Sequence, residues 1–213
     1  MAFFYYTEAE TDYLKKKDKR LGAVIDKLGH IEREVVDDLF EALVYSIVGQ
    51  QISTKAQITV WNRIKAGLGT VTPETVTAAG EAVLRGFGLS GRKAGYILGA
   101  AERILCGELD LKALEEMSDA EVKQKLCRLP GVGVWTAEML MTFSMQRKNI
   151  FSFGDYGIRK GLRMIYHHRE IDQKLFARYY KRYTPYASVA SLYLWAVAGG
   201  AIPGMRDYAP RKR

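Results

Sequence analysis

The chain has 213 residues, of which 48 % are hydrophobic, a size and composition typical of a water-soluble protein with a sizeable core. No apolar run approaches the roughly 20 residues of a membrane span, so a membrane-spanning class is excluded and no membrane partner is expected. The net charge of +8 is uneven, because 14 basic residues stand against 4 acidic ones from Arg147 onwards. This distribution favours a polyanionic partner such as nucleic acid, although a solvated surface that only keeps the protein soluble remains open.

Cysteine and histidine usage argues against metal chemistry. The two cysteines, Cys106 and Cys127, have no metal-like spacing and are too few for a four-cysteine iron–sulfur cluster. We expect both to be reduced, buried thiols in a cytoplasmic protein. The three histidines lack ligand spacing as well, so the sequence predicts no catalytic metal.

Helical periodicity dominates the chain, and no segment shows a convincing strand alternation. Ser53 is a predicted N-cap, and Ser118 with Glu121 forms a predicted capping box. The sequence predicts an all-α fold with about nine to eleven helices in two lobes with a cleft between them. In chain order, the predicted helical stretches are VVDDLFEALVYSIVGQQIS, STKAQITVWNRIKAGLG, TPETVTAAG, SGRKAGYILGAAERILCG, DLKALEEM, SDAEVKQKLCRL, VGVWTAEMLMTFSMQ, DYGIRKGLRMIYHH, DQKLFARYYKRY and ASVASLYLWAVAGG.

The stretch LPGVGVWTAEM, which begins at Leu129, places a short glycine-containing turn between two helices. Gly131 and Gly133 would let a phosphate approach the backbone N–H groups at the start of the second helix, where the helix dipole attracts anions. Val132 and Leu129 would anchor the turn in the core. An ordinary turn between two helices is the alternative.

This stretch resembles the helix-hairpin-helix of the DNA glycosylase superfamily. NIFSFGDYGIRKGL is similar to the loop and aspartate that follow the hairpin there. Further segments are similar to the AlkA-like branch, the 3-methyladenine DNA glycosylases II: YLKKKDKRLGAVIDKLG, FEALVYSIVGQQIS, GLSGRKAGYILGAA and PYASVASLYLWAVAG. The resemblance runs from about Tyr13 to Gly200. It implies one glycosylase unit over residues 1–213, with a central lobe at 37–145 and a second lobe made of 1–36 and 146–213.

The resemblance implies hydrolysis of the N-glycosidic bond of a damaged base, with Asp155 as the catalytic carboxylate. The departing base leaves positive charge on the sugar, which an ionised carboxylate stabilises. From its position alone, Asp155 could merely cap the following helix, and the two roles are compatible. Bifunctional relatives carry an attacking lysine two residues after the last hairpin glycine, where this chain has Trp135. A monofunctional enzyme without lyase activity is therefore expected, in base excision repair.

The resemblance also implies an aromatic pocket for an extruded base, made of Trp135, Tyr156 and Trp195. Electron-rich rings would stack on a cationic alkylated purine of the 3-methyladenine or 7-methylguanine type. Met139 stands where several relatives have another aromatic residue. Core packing is the alternative role for each of these aromatic side chains.

The implied partner is double-stranded DNA with damaged bases, bound by a monomer. Its contacts would be the backbone of Gly131, Val132 and Gly133, and the GQQIS turn, in which Gln51 fills the vacated site and Gln50 braces the loop. A polar turn that only ends the preceding helix is the alternative for GQQIS. Arg92 and Lys93 could meet phosphates, or form only a solvated face. The resemblance implies no required cofactor, although a monovalent cation (K⁺ or Na⁺) could bind hairpin carbonyls.

Two other functions compete with this interpretation. The first keeps the enzyme but changes the lesion to an oxidised, deaminated or mismatched base. The second is a non-catalytic module that binds damaged DNA and has lost turnover, which the presence of Asp155 argues against.

Overall fold

The computed structural model describes residues 2–210. The chain ends in PRKR, for which the sequence predicts a basic tail, and residues 211–213 of that tail lie outside the described part. This part of the chain contains eleven α-helices, which confirms the all-α prediction. The helices are α1 (Glu8–Lys17), α2 (Lys19–Leu28), α3 (Leu39–Gly49), α4 (Thr54–Leu68), α5 (Pro73–Gly86), α6 (Gly91–Leu105), α7 (Asp119–Leu126), α8 (Val134–Phe143), α9 (Tyr156–Tyr166), α10 (Gln173–Tyr183) and α11 (Ala187–Ala198).

A small β-ribbon is the feature that the periodicity did not reveal. Strands β1 (Ala2–Phe3) and β2 (Glu34–Val35) pair antiparallel, with Ala2 opposite Val35. Each strand has two residues, and a segment this short carries no detectable alternation.

The chain divides into two units, which we call the hairpin unit (Val36–Met145) and the terminal unit (Met1–Val35 with Gln146–Arg213). The hairpin unit contains α3 to α8. In it, α5 packs on α6, α7 on α8, and α3 on α4, α6 and α8. Its centre is fully buried and aliphatic, and includes Leu43, Ile47, Ile64, Leu84, Ile97 and Leu114.

Most helix starts lie where capping chemistry predicts them. Ser53 Oγ accepts from the Ala56 N–H at 3.3 Å, and Ser118 forms a complete capping box with Glu121. In α5, Gly80 has a φ of +71° and interrupts the helix where the predicted stretch TPETVTAAG ends.

The stretch DLKALEEM forms only a 3₁₀ turn, Ala113–Glu116, rather than the predicted helix. Asp110 Oδ1 accepts from the N–H groups of Lys112 and Ala113, which fixes a turn at its start. Ser118 then caps α7. The segment between the Asp110 turn and the Ser118 cap is therefore too short for a stable α-helix.

The terminal unit packs α9 against α11, and this contact depends on a bare backbone. A Cβ on Gly161 would collide with the carbonyl oxygen of Leu194. On α2, the buried N-cap Asp18 accepts from Arg182 of α10 at 2.6 Å. The hydroxyls of Tyr166 and Tyr183 lie 2.7 Å apart in the core. The Gly161 and Tyr166 contacts fix the middle and the C-terminal end of α9.

The cysteine prediction is wrong in one respect. Both thiols are free, but Cys106 is exposed and Cys127 is half-buried. Cys106 is the C-cap residue of α6 and thus lies beyond that helix's buried face. Burial raises the pKa of the Cys127 thiol, which keeps it protonated and unreactive.

Within residues 2–210, no helix is long and apolar enough to cross a membrane.

Candidate active site

The turn between α7 and α8 exposes backbone where the sequence analysis expected it. Leu129 and Val132 are buried and anchor the turn, with the Val132 N–H donating to Leu129 O at 3.0 Å. Because the Val132 side chain points into the core, only its backbone can face a ligand. Gly133 is the N-cap of α8, and no side chain in the described part of the chain caps this helix. A helix N-terminus without a side-chain cap carries the positive end of the helix dipole.

The two hairpin glycines serve different purposes. At Gly133, φ is −87°, and no described atom lies within 4 Å of the place where a Cβ would stand. At Gly131, φ is +83°, and an added Cβ would collide with the ring of Tyr96 from α6. Gly133 thus leaves open space at the turn, whereas Gly131 accommodates the protein's own packing.

The loop after α3, residues 49–53, lies against this hairpin. Gln50 is the C-cap residue of α3, and its amide Nε2 donates to Gly131 O at 2.8 Å. Gln51 is exposed, with a φ of +58° that a non-glycine residue adopts only at a cost. The neighbouring Ile52 is also exposed. The loop therefore displays a polar and an apolar side chain beside the turn between α7 and α8.

Arg92 and Lys93 are adjacent on the first turn of α6 but have different environments. Arg92 is exposed. Lys93 Nζ donates to two carbonyls at the end of α3, Val48 O at 2.8 Å and Gln50 O at 2.7 Å. Burial lowers the pKa of the Lys93 ammonium. Only Arg92 retains the setting expected of a phosphate contact.

Trp135 and Met139 share one face of α8, four residues apart. Trp135 is 47 % exposed at the second position of the helix, and Met139 is half-buried. An indole this exposed is not a core residue.

In the terminal unit, Asp155 is the N-cap of α9. Its Oδ1 accepts from the Ile158 N–H at 2.8 Å and from Trp195 Nε1 at 2.9 Å. The residue is 8 % exposed, and both donors, together with the positive end of the α9 dipole, stabilise negative charge on this oxygen. A Cβ on Gly157 would stand 2.7 Å from Trp195 Cδ1, so this glycine admits the indole.

Tyr156 begins α9 beside this carboxylate and is 62 % exposed. The Arg163 guanidinium lies 5.5 Å from the centre of its ring. Arg163 is in turn fixed by two hydrogen bonds to Asp207, from Nε at 2.7 Å and from Nη2 at 2.6 Å. The structure thus brings together Asp155, Tyr156 and Trp195, three of the predicted site residues.

The ion pair Arg163–Asp207, which holds the guanidinium beside the Tyr156 ring, was not predicted from the sequence. The guanidinium holds the pKa of the Asp207 carboxyl below its usual value. Asp207 lies in an irregular segment 44 positions after Arg163, and no local motif connects the two. The basic character of α9 was the one available signal.

No group of three or more His, Cys, Asp or Glu residues within positions 2–210 could hold a metal ion.

Comparison with known proteins agrees with this arrangement. Residues 44–185 match HhH-GPD, described as a superfamily of base excision DNA repair proteins. The chain is 29 % identical over 161 residues to DNA-3-methyladenine glycosylase 1 of Schizosaccharomyces pombe, covering 73 % of this chain and 71 % of that protein.

Two solved structures share the fold. The crystal structure of DNA-3-methyladenine glycosidase from Bacillus halodurans aligns with a TM-score of 0.86 and 34 % identity, over 98 % of this chain and 97 % of that one. The S. pombe 3-methyladenine DNA glycosylase in complex with abasic DNA aligns with a TM-score of 0.78 at 24 % identity, over 91 % and 98 %. The family match spans well over half of the sequence, and the chain therefore belongs to the HhH-GPD superfamily of base excision DNA repair proteins.

Proposed function

We propose that this protein is a monofunctional DNA glycosylase that extrudes an alkylated base from duplex DNA, hydrolyses its N-glycosidic bond and leaves an abasic site. The observation that carries the proposal is the Asp155 carboxylate, held between the α9 N-terminus and the Trp195 indole beside the exposed Tyr156. Relatives named 3-methyladenine DNA glycosylases support this choice of lesion.

For this reaction, the protein has to supply a negative charge and hold it in the right position. As the base leaves, the sugar develops positive charge at its anomeric carbon, and a fixed carboxylate stabilises that charge and orients the attacking water. The aromatic side chains would hold the extruded base by stacking. For a cationic 7-methylguanine or 3-methyladenine, the cation–π attraction adds roughly 0.5–2 kcal/mol. The weakened bond of the cationic base supplies most of the selectivity.

A panel of damaged duplexes tests the lesion class. We expect release of 7-methylguanine and 3-methyladenine from methylated DNA, detected as free base by chromatography. Duplexes with uracil or 8-oxoguanine are the comparison, because these neutral bases gain no cation–π attraction. Preferential release of either of them would replace the alkylated-base assignment with another lesion. Binding to all duplexes without any base release would favour the non-catalytic module.

Absence of lyase activity is a separate prediction. The position that carries the attacking lysine in bifunctional relatives is Trp135, and an indole cannot form a Schiff base. The two lysines nearest Asp155 in sequence are engaged elsewhere. Lys148 Nζ lies 3.7 Å from Glu10 and close to the rings of Phe4 and Tyr5, and Lys160 Nζ donates to Ala198 O at 2.8 Å.

Borohydride should therefore fail to trap the protein on methylated duplex DNA, and the product strand should remain uncut until alkali is added. A bifunctional glycosylase on its own substrate serves as the positive control. A covalent protein–DNA band on a denaturing gel would contradict the monofunctional assignment, and peptide mapping would then identify the lysine.

We also propose that the protein acts as a cytoplasmic monomer with access to the chromosome, and that K⁺ or Na⁺ binds at the hairpin. The carbonyl oxygens of that turn are neutral, hard ligands of the kind that suit monovalent cations. Two of them, on Leu129 and Gly131, already accept hydrogen bonds from Val132 and Gln50. A bound cation would hold the turn and takes no part in bond cleavage.

A further inference from the structure

The loop at residues 49–53 is held by contacts that its own sequence does not explain. It follows α3, whose last carbonyl groups have no partners within the helix and form the negative end of the helix dipole. Such carbonyl groups need hydrogen-bond donors. A cationic side chain can donate to them and also interacts favourably with the negative end of the helix dipole.

Lys93 supplies that cation from a different helix. Its Nζ donates to Val48 O at 2.8 Å and to Gln50 O at 2.7 Å, so one ammonium joins α6 to the last turn and the cap of α3. Charge-assisted hydrogen bonds of this kind are stronger than neutral ones. Burial lowers the pKa of the ammonium, which indicates that it has given up part of its hydration for these two carbonyls.

Gln50 connects the Lys93 contact to the hairpin turn. Its backbone carbonyl accepts from Lys93, while its side-chain amide donates to Gly131 O at 2.8 Å. One residue thus receives the lysine and touches the phosphate-binding turn. On the opposite side, Gln57 Nε2 donates to Tyr45 O at 3.0 Å, and a Cβ on Gly49 would collide with the Gln57 amide.

Gln51 is the next residue, and its setting depends on these contacts. Its backbone lies in the left-handed region at a φ of +58°, and its side chain is exposed. A non-glycine residue stays in that region only when the surrounding structure enforces it. Lys93 and Gln50 are the groups that fix the backbone immediately before it.

We propose that Lys93 is a positioning residue: through Val48 O and Gln50 O it fixes the loop against the hairpin, so that Gln51 enters the DNA stack when the damaged nucleotide is extruded. The inference rests on the proposed base-extruding function. It replaces the expectation that Lys93 contacts a phosphate, since two of its three N–H donors already serve the protein.

The experiment compares Lys93→Met with Lys93→Arg in the full chain. The substrate is the same methylated oligonucleotide, either as a duplex or as a single strand, and base release is measured in single-turnover conditions. A wedge matters only where a stack must be opened and filled. We expect Lys93→Met to slow release from the duplex by about 10- to 100-fold. Release from the single strand should stay within about twofold of wild type.

Lys93→Arg keeps the charge and several donors, so it should recover much of the duplex rate. Lys112→Met is a matched control that removes one positive charge from an exposed position outside this cluster, and it should behave as wild type. Thermal unfolding of each variant is measured alongside. If Lys93→Met proves unfolded, Lys93→Gln takes its place in every arm, because its shorter, neutral side chain cannot supply both charge-assisted hydrogen bonds.

The salt dependence of binding to undamaged duplex distinguishes positioning from phosphate contact. Removing a phosphate-binding cation lowers the slope of log K against log salt concentration by about one. We expect that change for Arg92→Met and an unchanged slope for Lys93→Met.

Each outcome is decisive. Equal loss on duplex and single strand, a lowered slope, or a wild-type duplex rate for Lys93→Met would overturn the positioning role while leaving the glycosylase assignment standing. A wild-type protein that releases no base from either substrate would instead refute the proposed function, and the wedge role of the loop with it.

Discussion

Asp155→Asn is expected to slow the release of alkylated base by about 10²- to 10³-fold, the usual cost of removing one electrostatic contact to a charged transition state. The substitution removes the negative charge of a carboxylate that accepts from Ile158 N–H and Trp195 Nε1. An asparagine oxygen can still accept both hydrogen bonds, and asparagine is as good an N-cap as aspartate. The measurement is single-turnover base release from methylated duplex.

Stability separates the two roles of this residue. Asp155→Asn should unfold close to the wild-type temperature, because the cap survives. Asp155→Ala removes the cap as well and should cost about 1 kcal/mol of unfolding free energy in addition to activity. If Asp155→Asn releases base at the wild-type rate, the carboxylate is only a cap, and the catalytic assignment fails.

The structural features that the sequence predicted are those that depend on residues a few positions apart. Ser53 and Ser118 are capping residues with local partners, and the structure places both as caps. The glycine turn at Gly131–Gly133 is likewise a local signal, because helix, turn and helix follow one another directly.

The supporting contacts were not predictable in this way. Lys93 looks like any exposed helical lysine until the carbonyls of Val48 and Gln50, more than 40 positions earlier, are placed beside it. Arg163 and Asp207 meet across a comparable separation. Long-range pairing of polar groups depends on how the helices pack, and such pairs cannot be identified from a single sequence.

The hairpin glycines give the second large expected effect. Gly131→Ala puts an L-residue at a φ of +83° and a methyl group into the Tyr96 ring. Left-handed backbone costs about 1–2 kcal/mol and overpacking about 1–3 kcal/mol, so we expect a loss of about 2–5 kcal/mol in unfolding free energy. Denaturant titration measures it, with binding to abasic duplex measured on the folded fraction.

Gly133→Ala is the matched substitution at the other end of the same turn. Its φ of −87° suits alanine, and no described atom lies within 4 Å of the new methyl group, so unfolding free energy should stay within about 1 kcal/mol of wild type. The methyl group does, however, occupy the approach to the uncapped N–H groups of α8, where a phosphate would bind. We expect affinity for abasic duplex to fall about tenfold or more, a loss of about 1.4 kcal/mol. A stable Gly133→Ala protein that binds DNA as wild type does would mean that the turn connects two helices and grips no phosphate.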